Sequence, residues 1–384
     1  MLSKFLFFSV FVISAFTSCK DDTQREIYKP TDNRTFLLYI VGDNNLSSFG
    51  TSTIESIKAG MYSSKGDANI LVYEDSRREE GGKESSPTLW KFYRTDGKVI
   101  QEAVKVYPEQ NSTDPDVMSG IISEAFSLYP SQEKVISFWG HGSGWLPKPS
   151  KSVSGLARAY GPDGDDWLDI TELKDILYDT GLHFDAIMFD ACNMACIEVA
   201  YEFKDITEYM ILSPAEVMGS GYPYKTIIPI LTQTILDYTD ICKKYMEYYD
   251  GKQRYNDGTI SLIRTSEVEE LARLYGKFLE TYSTRLKDFD LSNIQQLGRA
   301  SIGYGNVFFD LSSVAKQFMT AEELAEFNSQ LEKTILYRDY TETFVELKLN
   351  DLCGLTVFLP HLNSNVNLLA FYYRLTFSKS LPVQ

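Results

Sequence analysis

The chain has 384 residues, and its content of 43% hydrophobic and 14% aromatic residues is enough to bury the core of one large domain or two ordinary ones. Lys and Arg total 37 against 53 Asp and Glu, and the formal net charge of −16 opposes binding to phosphate backbones or anionic lipid. The composition therefore predicts an ordered globular protein and argues against nucleic acid as a partner.

The N-terminal segment has the layout of a secretion signal. Residues 1–18 combine one lysine with an apolar stretch that is too short to span a bilayer comfortably. Cys19 follows small residues, as in a bacterial lipobox, where the cysteine is acylated and becomes the mature N-terminus. We therefore predict a signal peptide at 1–18 and a polar lipoprotein tether at 19–33. An ordinary signal with an incidental cysteine is the alternative.

The first residues of the tether indicate where the lipoprotein goes. Lys20 is followed by two aspartates, which resembles the acidic tag that sends some Gram-negative lipoproteins to the outer surface. The sequence therefore predicts an exported lipoprotein that is held in the outer membrane by its lipid anchor and faces the cell exterior.

Four apolar runs have the composition of buried parallel strands. They lie at 34–46, 68–76, 134–144 and 184–192, and each one stops at polar or glycine-rich residues. Helix-length spacers separate them, which predicts an α/β fold with a mainly parallel central sheet. In such sheets, binding and catalytic sites gather at the carboxyl ends of the strands.

The second half of the chain is predicted to be mostly helical. Residues 226–336 are rich in helix-forming patterns, and an apolar run at 353–360 predicts a late strand. We therefore divide the mature chain into a core at 34–225 and a mostly helical C-terminal region with a late strand at 226–384. Two helix starts have the pattern of a capping box: Asp169 with Glu172, and Thr320 with Glu323.

A histidine and a cysteine follow two of the predicted strands. His141 lies in "SFWGHGSGW", between glycines that let backbone come close to a ligand, and Cys192 ends the next predicted strand. A loop histidine alone is commonly structural, but an imidazole within hydrogen-bond reach of a thiol generates the nucleophilic thiolate. The pair is therefore a candidate base and nucleophile.

Five segments in order resemble the clostripain family of cysteine peptidases, which shares a caspase-like clan with caspases, gingipains and legumains. They are "GDNNL" after the first strand, "FWGHGSGW", "FDACNMACIEVAYEF", "SPAEVMGSGYPY" and the late "GLTVFLP". Caspases also place the histidine about fifty residues before the cysteine. The resemblance spans roughly residues 34–360 and implies a caspase-like α/β/α sandwich, a Cys/His dyad and cleavage after Arg or Lys.

The resemblance assigns roles to individual residues. It implies that His141 is the catalytic histidine, that Cys192 is the nucleophile, and that the backbone amides of Gly142 and Cys192 stabilise the oxyanion. The acidic residue of the family motif falls on Asp190. Positions two apart on a strand face the same side, so Asp190 and Cys192 can line one pocket, where a carboxylate would pair with Arg or Lys. The alternative is that Asp190 only hydrogen-bonds a strand end.

The sequence also departs from the family pattern. Gly140 stands where the family often has an aspartate, so its side chain cannot orient the imidazole, and Ser143 replaces a glycine. Residues 193–195 read Asn-Met-Ala where Leu-Met-Gly is usual. These departures leave open an inactive relative that acts as a surface binding module or scaffold. A second alternative is a glycan-capturing lipoprotein, although the many aromatic residues are expected in the core.

The other candidate ligands are expected to be structural. Cys196 would lie one turn along a helix that starts at the strand end, and we predict a small buried residue there rather than a metal or redox pair. Cysteine density is low for an exported chain, so no disulfide framework is expected, although one pair could form. His183 and His361 have no comparable setting and are also predicted to be structural.

No cofactor or metal site is predicted. Some family members depend on calcium, which keeps calcium possible here. The acidic segment 161–169 lacks the spaced ligands of an EF-hand and predicts a turn that leads into a capped helix.

The resemblance further implies a zymogen that is cut between the histidine and cysteine segments. The loop at 146–158 has the expected position and contains Lys148, Lys151 and Arg158. These residues match the implied specificity, so we predict self-cleavage after one of them. The expected substrates are proteins or peptides that contain Arg or Lys.

Overall fold

A computed structural model describes residues 34–76, 86–148, 160–164, 166–250, 257–286, 290–298, 306–345 and 347–382. The predicted signal peptide and tether, with Cys19, lie outside these residues, as do Lys151 and Arg158. Within the described ranges, no helix is both long enough and apolar enough to cross a membrane.

The secondary structure alternates between strands and helices along most of the chain. The strands in the described residues are β1 (Arg34–Gly42), β2 (Asn69–Ser76), β3 (Thr88–Thr95), β4 (Lys98–Val106), β5 (Glu133–Trp139), β6 (His141–Gly142), β7 (Tyr160–Asp163), β8 (Asp166–Leu168), β9 (Phe184–Asp190), β10 (Thr207–Leu212), β11 (Thr259–Arg264), β12 (Gln296–Leu297), β13 (Phe308–Asp310), β14 (Ile335–Tyr340), β15 (Thr343–Phe344), β16 (Leu347–Lys348) and β17 (Thr356–Val357). The helices there are α1 (Ser47–Ser63), α2 (Pro115–Leu128), α3 (Ile170–Asp179), α4 (Ile197–Phe203), α5 (Tyr224–Leu231), α6 (Tyr238–Asp250), α7 (Val268–Leu286), α8 (Leu311–Phe318), α9 (Ala321–Thr334), α10 (Val366–Tyr372) and α11 (Thr376–Ser380).

A nine-stranded sheet forms the centre of the fold, in the order β14-β11-β10-β9-β5-β1-β2-β3-β4. The five strands from β10 to β2 are parallel to one another, and antiparallel strands extend the sheet at both edges. All nine residues of β1 are buried, as expected of a parallel strand covered on both faces. The parallel centre places the carboxyl ends of β1, β5 and β9 next to one another.

Helices cover both faces of this sheet. On one face α1 packs against α5 and α5 against α6, over an apolar cluster that includes Phe36, Ile57 and Tyr245. On the other face α2, α3, α4 and α7 pack in succession over a second cluster, which includes Phe138 and Phe189. This arrangement confirms the predicted α/β/α sandwich, because each amphipathic helix buries its apolar face against the sheet.

The four predicted strands correspond to β1, β2, β5 and β9, whereas β10, which lies inside the sheet, and the strands near its edges were not predicted. β11 and β14 come from within and just beyond the region predicted to be helical, and they extend the central sheet as antiparallel strands. β14 is half exposed and has no continuous apolar run, so its sequence does not look like that of a buried strand. The late strand is only two residues long, β17, and it joins β12 and β13 in a small separate sheet.

Both predicted capping boxes are confirmed. The backbone N–H of Asp169 donates to the Glu172 carboxylate at 2.8 Å, and α3 begins at the next residue. Thr320 accepts from the backbone N–H of Glu323 at 3.4 Å at the start of α9. The acidic segment before α3 forms the β7–β8 turn, as predicted.

Candidate active site

The histidine loop begins at Gly140, directly after β5, and contains His141 and Gly142. Neighbouring backbone holds it in place. Trp139 pairs with Asp190 across β5 and β9, and the backbone N–H of Gly140 donates to the Asp190 carbonyl at 3.3 Å. His141 and Gly142 then form β6, which pairs with β7, so that His141 lies opposite Gly161. Backbone contacts on two sides therefore hold His141 at the carboxyl edge of the sheet.

The cysteine loop, residues 191–196, joins β9 to α4 and is held by neighbouring backbone. The N–H of Asn193 donates to Ala215 at 2.8 Å, and the N–H of Ala195 donates to Ser213 at 2.9 Å. Asn193 has a φ of 59°, in the left-handed region that asparagine tolerates better than most residues. The N–H of Val217 donates to the Cys192 sulfur at 3.2 Å, which fixes the thiol at the surface of the loop.

Cys196 lies before the helix in which it was expected, but it is buried as predicted. Helix α4 begins only at Ile197, so Cys196 precedes the helix instead of lying one turn along it. The left-handed residue Asn193 and the backbone bonds of the loop prevent a helix from starting at the end of β9. Cys196 is fully buried, and burial raises the pKa of its thiol well above the usual range. No disulfide joins any two of the four described cysteines.

One cleft brings the predicted residues together. It has a volume of 270 Å³ and is lined by His141, Asp190 and Cys192, with residues 216–219 on one side and Phe344 on another. None of the lining residues is Lys or Arg, and Glu216 adds a second carboxylate. The cleft therefore combines a thiol, an imidazole and an acidic floor, which suits a cationic substrate.

Gly142 packs directly against the cysteine loop. A Cβ atom at residue 142 would lie 2.9 Å from the Cys192 carbonyl oxygen, 2.9 Å from the Ala191 Cβ and 3.0 Å from the Cys192 nitrogen. Only glycine fits in this space, so the backbone of the histidine loop lies against that of the nucleophile. The backbone amides of Gly142 and Cys192 are therefore close enough together to serve as two donors to one oxyanion.

Asp190 is buried at the base of the cleft with one oxygen satisfied. Its Oδ2 atom accepts from the Tyr222 backbone N–H at 2.9 Å and from the Tyr224 hydroxyl at 3.1 Å. Its Oδ1 atom has no hydrogen-bond partner among the described residues. Burial raises the pKa of this carboxyl to about 7, although the Tyr222 and Tyr224 bonds oppose the shift. A cation that reached Oδ1 would stabilise the charged form.

Gly221 completes the wall around this carboxyl. A Cβ atom at Gly221 would lie 2.7 Å from Asp190 Oδ2, and its φ of 59° is also one that favours glycine. The sequence contains these residues in "GSGYPY", but nothing in that motif predicts that Tyr222 and Tyr224 bind Asp190.

Of the three candidate cleavage residues, only Lys148 is described. It is exposed, its backbone N–H donates to Asp169 at 2.6 Å, and its Nζ atom donates to Glu172 at 2.7 Å. The predicted cleavage loop is thus fastened, at its start, to the capping box of α3.

The described residues contain no group of three His, Cys, Asp or Glu side chains placed to hold a metal ion. No catalytic step is assigned to a metal ion.

Comparison with known proteins gives the family. The family model for peptidase C11, described as the clostripain family, matches residues 38–381. The chain belongs to the clostripain family. Clostripain from Hathewaya histolytica is 27% identical over 246 residues, which are 55% of this chain and 46% of clostripain. The match thus spans about half the length of that curated relative.

Solved structures of this clostripain family match nearly the whole chain. An inactive zymogen C11 protease from Parabacteroides distasonis aligns with a TM-score of 0.80 and 27% identity, covering 92% of this chain and 99% of that one. A secreted C11 cysteine protease from Bacteroides thetaiotaomicron, bound to an irreversible peptide inhibitor, aligns with a TM-score of 0.75 and 27% identity, covering 91% and 99%. These matches confirm the predicted family and the caspase-like fold class.

Proposed function

We propose that this protein is an exported, lipid-anchored cysteine endopeptidase that cleaves after Arg or Lys. Cys192 is the nucleophile, His141 is the base, and Asp190 binds the basic side chain. The observation that carries the proposal is the single cleft in which these three residues meet, with the Asp190 Oδ1 atom buried and unpartnered among the described residues. The peptide inhibitor bound by the Bacteroides relative supports a peptide substrate.

The chemistry follows from the groups in the cleft. His141 takes the proton of Cys192, and the thiolate attacks the carbonyl carbon of the scissile bond while the carbonyl π electrons move to its oxygen. The amides of Gly142 and Cys192 stabilise this oxyanion. His141 then protonates the leaving amine as the C–N bond breaks, and a thioester remains. His141 then takes a proton from water as the water oxygen attacks the thioester carbonyl carbon. The C–S bond breaks, the acyl part leaves as a carboxylic acid, and His141 returns the proton to the Cys192 sulfur.

The acidic floor of the cleft supports the specificity. A charged Asp190 presents Oδ1 to a guanidinium or ammonium group, and charge-assisted hydrogen bonds in a buried setting are stronger than neutral ones. Glu216 adds a second negative charge to the lining. The proposed location at the outer membrane rests on residues 1–33 alone, with Cys19 as the acylated residue.

A panel of fluorogenic peptides tests the proposed function. We expect the chain without residues 1–19 to hydrolyse peptides that end in Arg or Lys, and to leave matched peptides ending in Asp or Ala uncut, because only a cation pairs with Asp190. Parallel assays with calcium and with a chelator show whether the ion is needed. No turnover on any peptide, even after nicking of the loop at 146–158 with trypsin, would favour a non-enzymatic surface module.

Self-cleavage is expected after Lys151 or Arg158 and not after Lys148. Lys148 is followed by Pro149, whose nitrogen carries no hydrogen and whose ring fixes the backbone after the scissile bond. Lys148 is also held by Asp169 and Glu172. Intact-mass spectrometry should therefore show two fragments for Lys148→Gln, as for the wild type.

A double variant that removes both expected cleavage residues tests the same assignment of the cleavage site. Lys151→Gln combined with Arg158→Gln should remain a single chain under conditions in which the wild type is fully cut. A fragment that ends at Lys148 in this double variant would contradict the assignment.

A further inference from the structure

The turn after β1 is built so that one asparagine faces the histidine loop. Asn44 fixes the turn itself: its Oδ1 atom accepts from the Leu46 N–H at 2.9 Å, and its Nδ2 atom donates to the Pro162 carbonyl at 2.7 Å and to the Val41 carbonyl at 3.1 Å. The turn is thus tied both to its own strand and to β7. Asn45, the next residue, lies between Asn44 and Leu46, which these hydrogen bonds hold in place.

Asn45 contacts the imidazole directly. Its Oδ1 atom lies 2.8 Å from Nε2 of His141, although the two residues are 96 positions apart in the chain. The contact forms because β1 and β5 are parallel neighbours, so the loops that follow them meet at one edge of the sheet. A residue of the "GDNNL" segment therefore joins the site.

We infer that Asn45 is a positioning residue that fixes the orientation and tautomer of His141 for catalysis. A carboxamide oxygen only accepts hydrogen bonds, so the ring nitrogen that faces it, Nε2, carries a hydrogen in both the neutral and the charged imidazole. The proton exchanged with Cys192 is then the one on Nδ1. This inference rests on the proposed role of His141 as the base, and it extends the dyad by a third residue.

Gly140 fits the same arrangement. A Cβ atom at residue 140 would lie 3.2 Å from the Val41 carbonyl oxygen and 3.7 Å from the ring of Tyr160. A side chain here would thus start out against β1 and Tyr160. Gly140, which stands where the family often has an aspartate, has no side chain to disturb this packing. Asn45 instead supplies the hydrogen bond to the imidazole ring of His141.

The test compares Asn45→Ala with Ser48→Ala, an exposed substitution in the first turn of α1 that leaves the imidazole contact intact. We expect Asn45→Ala to lower kcat on an Arg peptide by about 10- to 100-fold, the range for loss of a hydrogen bond to a charged group. KM should change little, because Asn45 is not among the residues that line the cleft. Ser48→Ala should match the wild type.

A charged replacement of Asn45 tests its role through the pH profile of kcat/KM, which a purely structural role of Asn45 would not shift. Asn45→Asp places a carboxylate at the ring and should shift the alkaline limb of the kcat/KM profile to higher pH by about one unit, because it favours the imidazolium. These variants leave unchanged the other carboxyl groups on the elements around the His141 ring, which are Asp43, Asp163, Asp166, Asp190 and Glu216. An unshifted profile for Asn45→Asp would overturn the inference.

Alkylation of Cys192 by iodoacetamide tests Asn45 without any peptide substrate. Mass spectrometry of the Cys192 peptide gives the rate, and the other described cysteines are buried with raised thiol pKa values. At about pH 6, Asn45→Ala should react roughly tenfold more slowly than the wild type and Ser48→Ala. Equal alkylation rates and equal kcat would overturn the inference. Absence of peptidase activity in the wild type, with the alkylation difference intact, would overturn only the proposed function.

Discussion

Cys192→Ala is expected to lower kcat on peptides ending in Arg or Lys by at least about 10⁴-fold, to the limit of detection. Loss of a covalent nucleophile removes the acyl-enzyme route entirely, and the oxyanion donors and binding groups that remain give only a small residual rate. The substitution replaces a sulfur at the cleft surface and leaves the loop's backbone bonds to Ala215 and Ser213 available. Steady-state hydrolysis of an Arg peptide at saturating peptide concentration is the measurement.

Cys196→Ala is the matched control for this variant. Cys196 lies four residues further along the chain, is fully buried and is not part of the cleft lining. We expect this control to keep kcat within a few-fold of the wild type. The Cys192→Ala chain should also remain uncut in the loop at 146–158 unless wild-type enzyme is added. Substantial hydrolysis or self-cleavage by pure Cys192→Ala would show that another group is the nucleophile.

The centre of the fold was predictable because its strands are continuous apolar runs. β1, β2, β5 and β9 lie within the sheet, and a strand covered by helices on both faces must be apolar along its whole length. β10, which is partly exposed near its start, and the edge strands do not meet this condition and were not predicted. β4 is mostly exposed, and β11 and β14 form pairs whose partners are separated in the chain by helices, so their register depends on tertiary contacts.

The candidate site was predictable to the extent that it consists of single residues at strand ends. His141, Cys192 and Asp190 each terminate or directly follow a predicted strand, and the fold brings them to one cleft. The residues that position them were not predicted. Asn45 and Tyr224 act through contacts across 96 and 34 positions of the chain, and no local pattern encodes a partner at that distance.

Asp190→Asn is expected to reduce kcat/KM for Arg and Lys peptides by about 10²- to 10³-fold. The substitution keeps the size of the side chain but removes the charge that pairs with the substrate, and loss of one partner of a buried charge pair costs affinity of this order. The expected loss is mainly in KM. A matched peptide that ends in citrulline, the neutral analogue of Arg, should be a poor substrate for the wild type and lose little further in the variant.

The pH dependence of the wild type follows from the same carboxyl. Burial raises the pKa of Asp190 to about 7, so the free enzyme holds it largely protonated below that pH and charged above it. Only the charged form pairs with a cation, so kcat/KM for an Arg peptide should fall as the pH decreases through about 7. A bound cation favours the charged form, which is why the fall should appear in KM more than in kcat. Asp190→Asn should remove this dependence.

Glu216→Gln separates the role of Asp190 from the overall negative charge of the cleft. Glu216 is the other carboxylate in the lining, and it is only partly buried, so solvent screens its charge more than that of Asp190. We expect Glu216→Gln to lower kcat/KM for Arg peptides by less than about tenfold and to retain the rise with pH. If instead Asp190→Asn kept the Arg and Lys preference and Glu216→Gln lost it, the basic side chain would bind at the rim, and the buried carboxyl would serve only to hold Tyr222 and Tyr224.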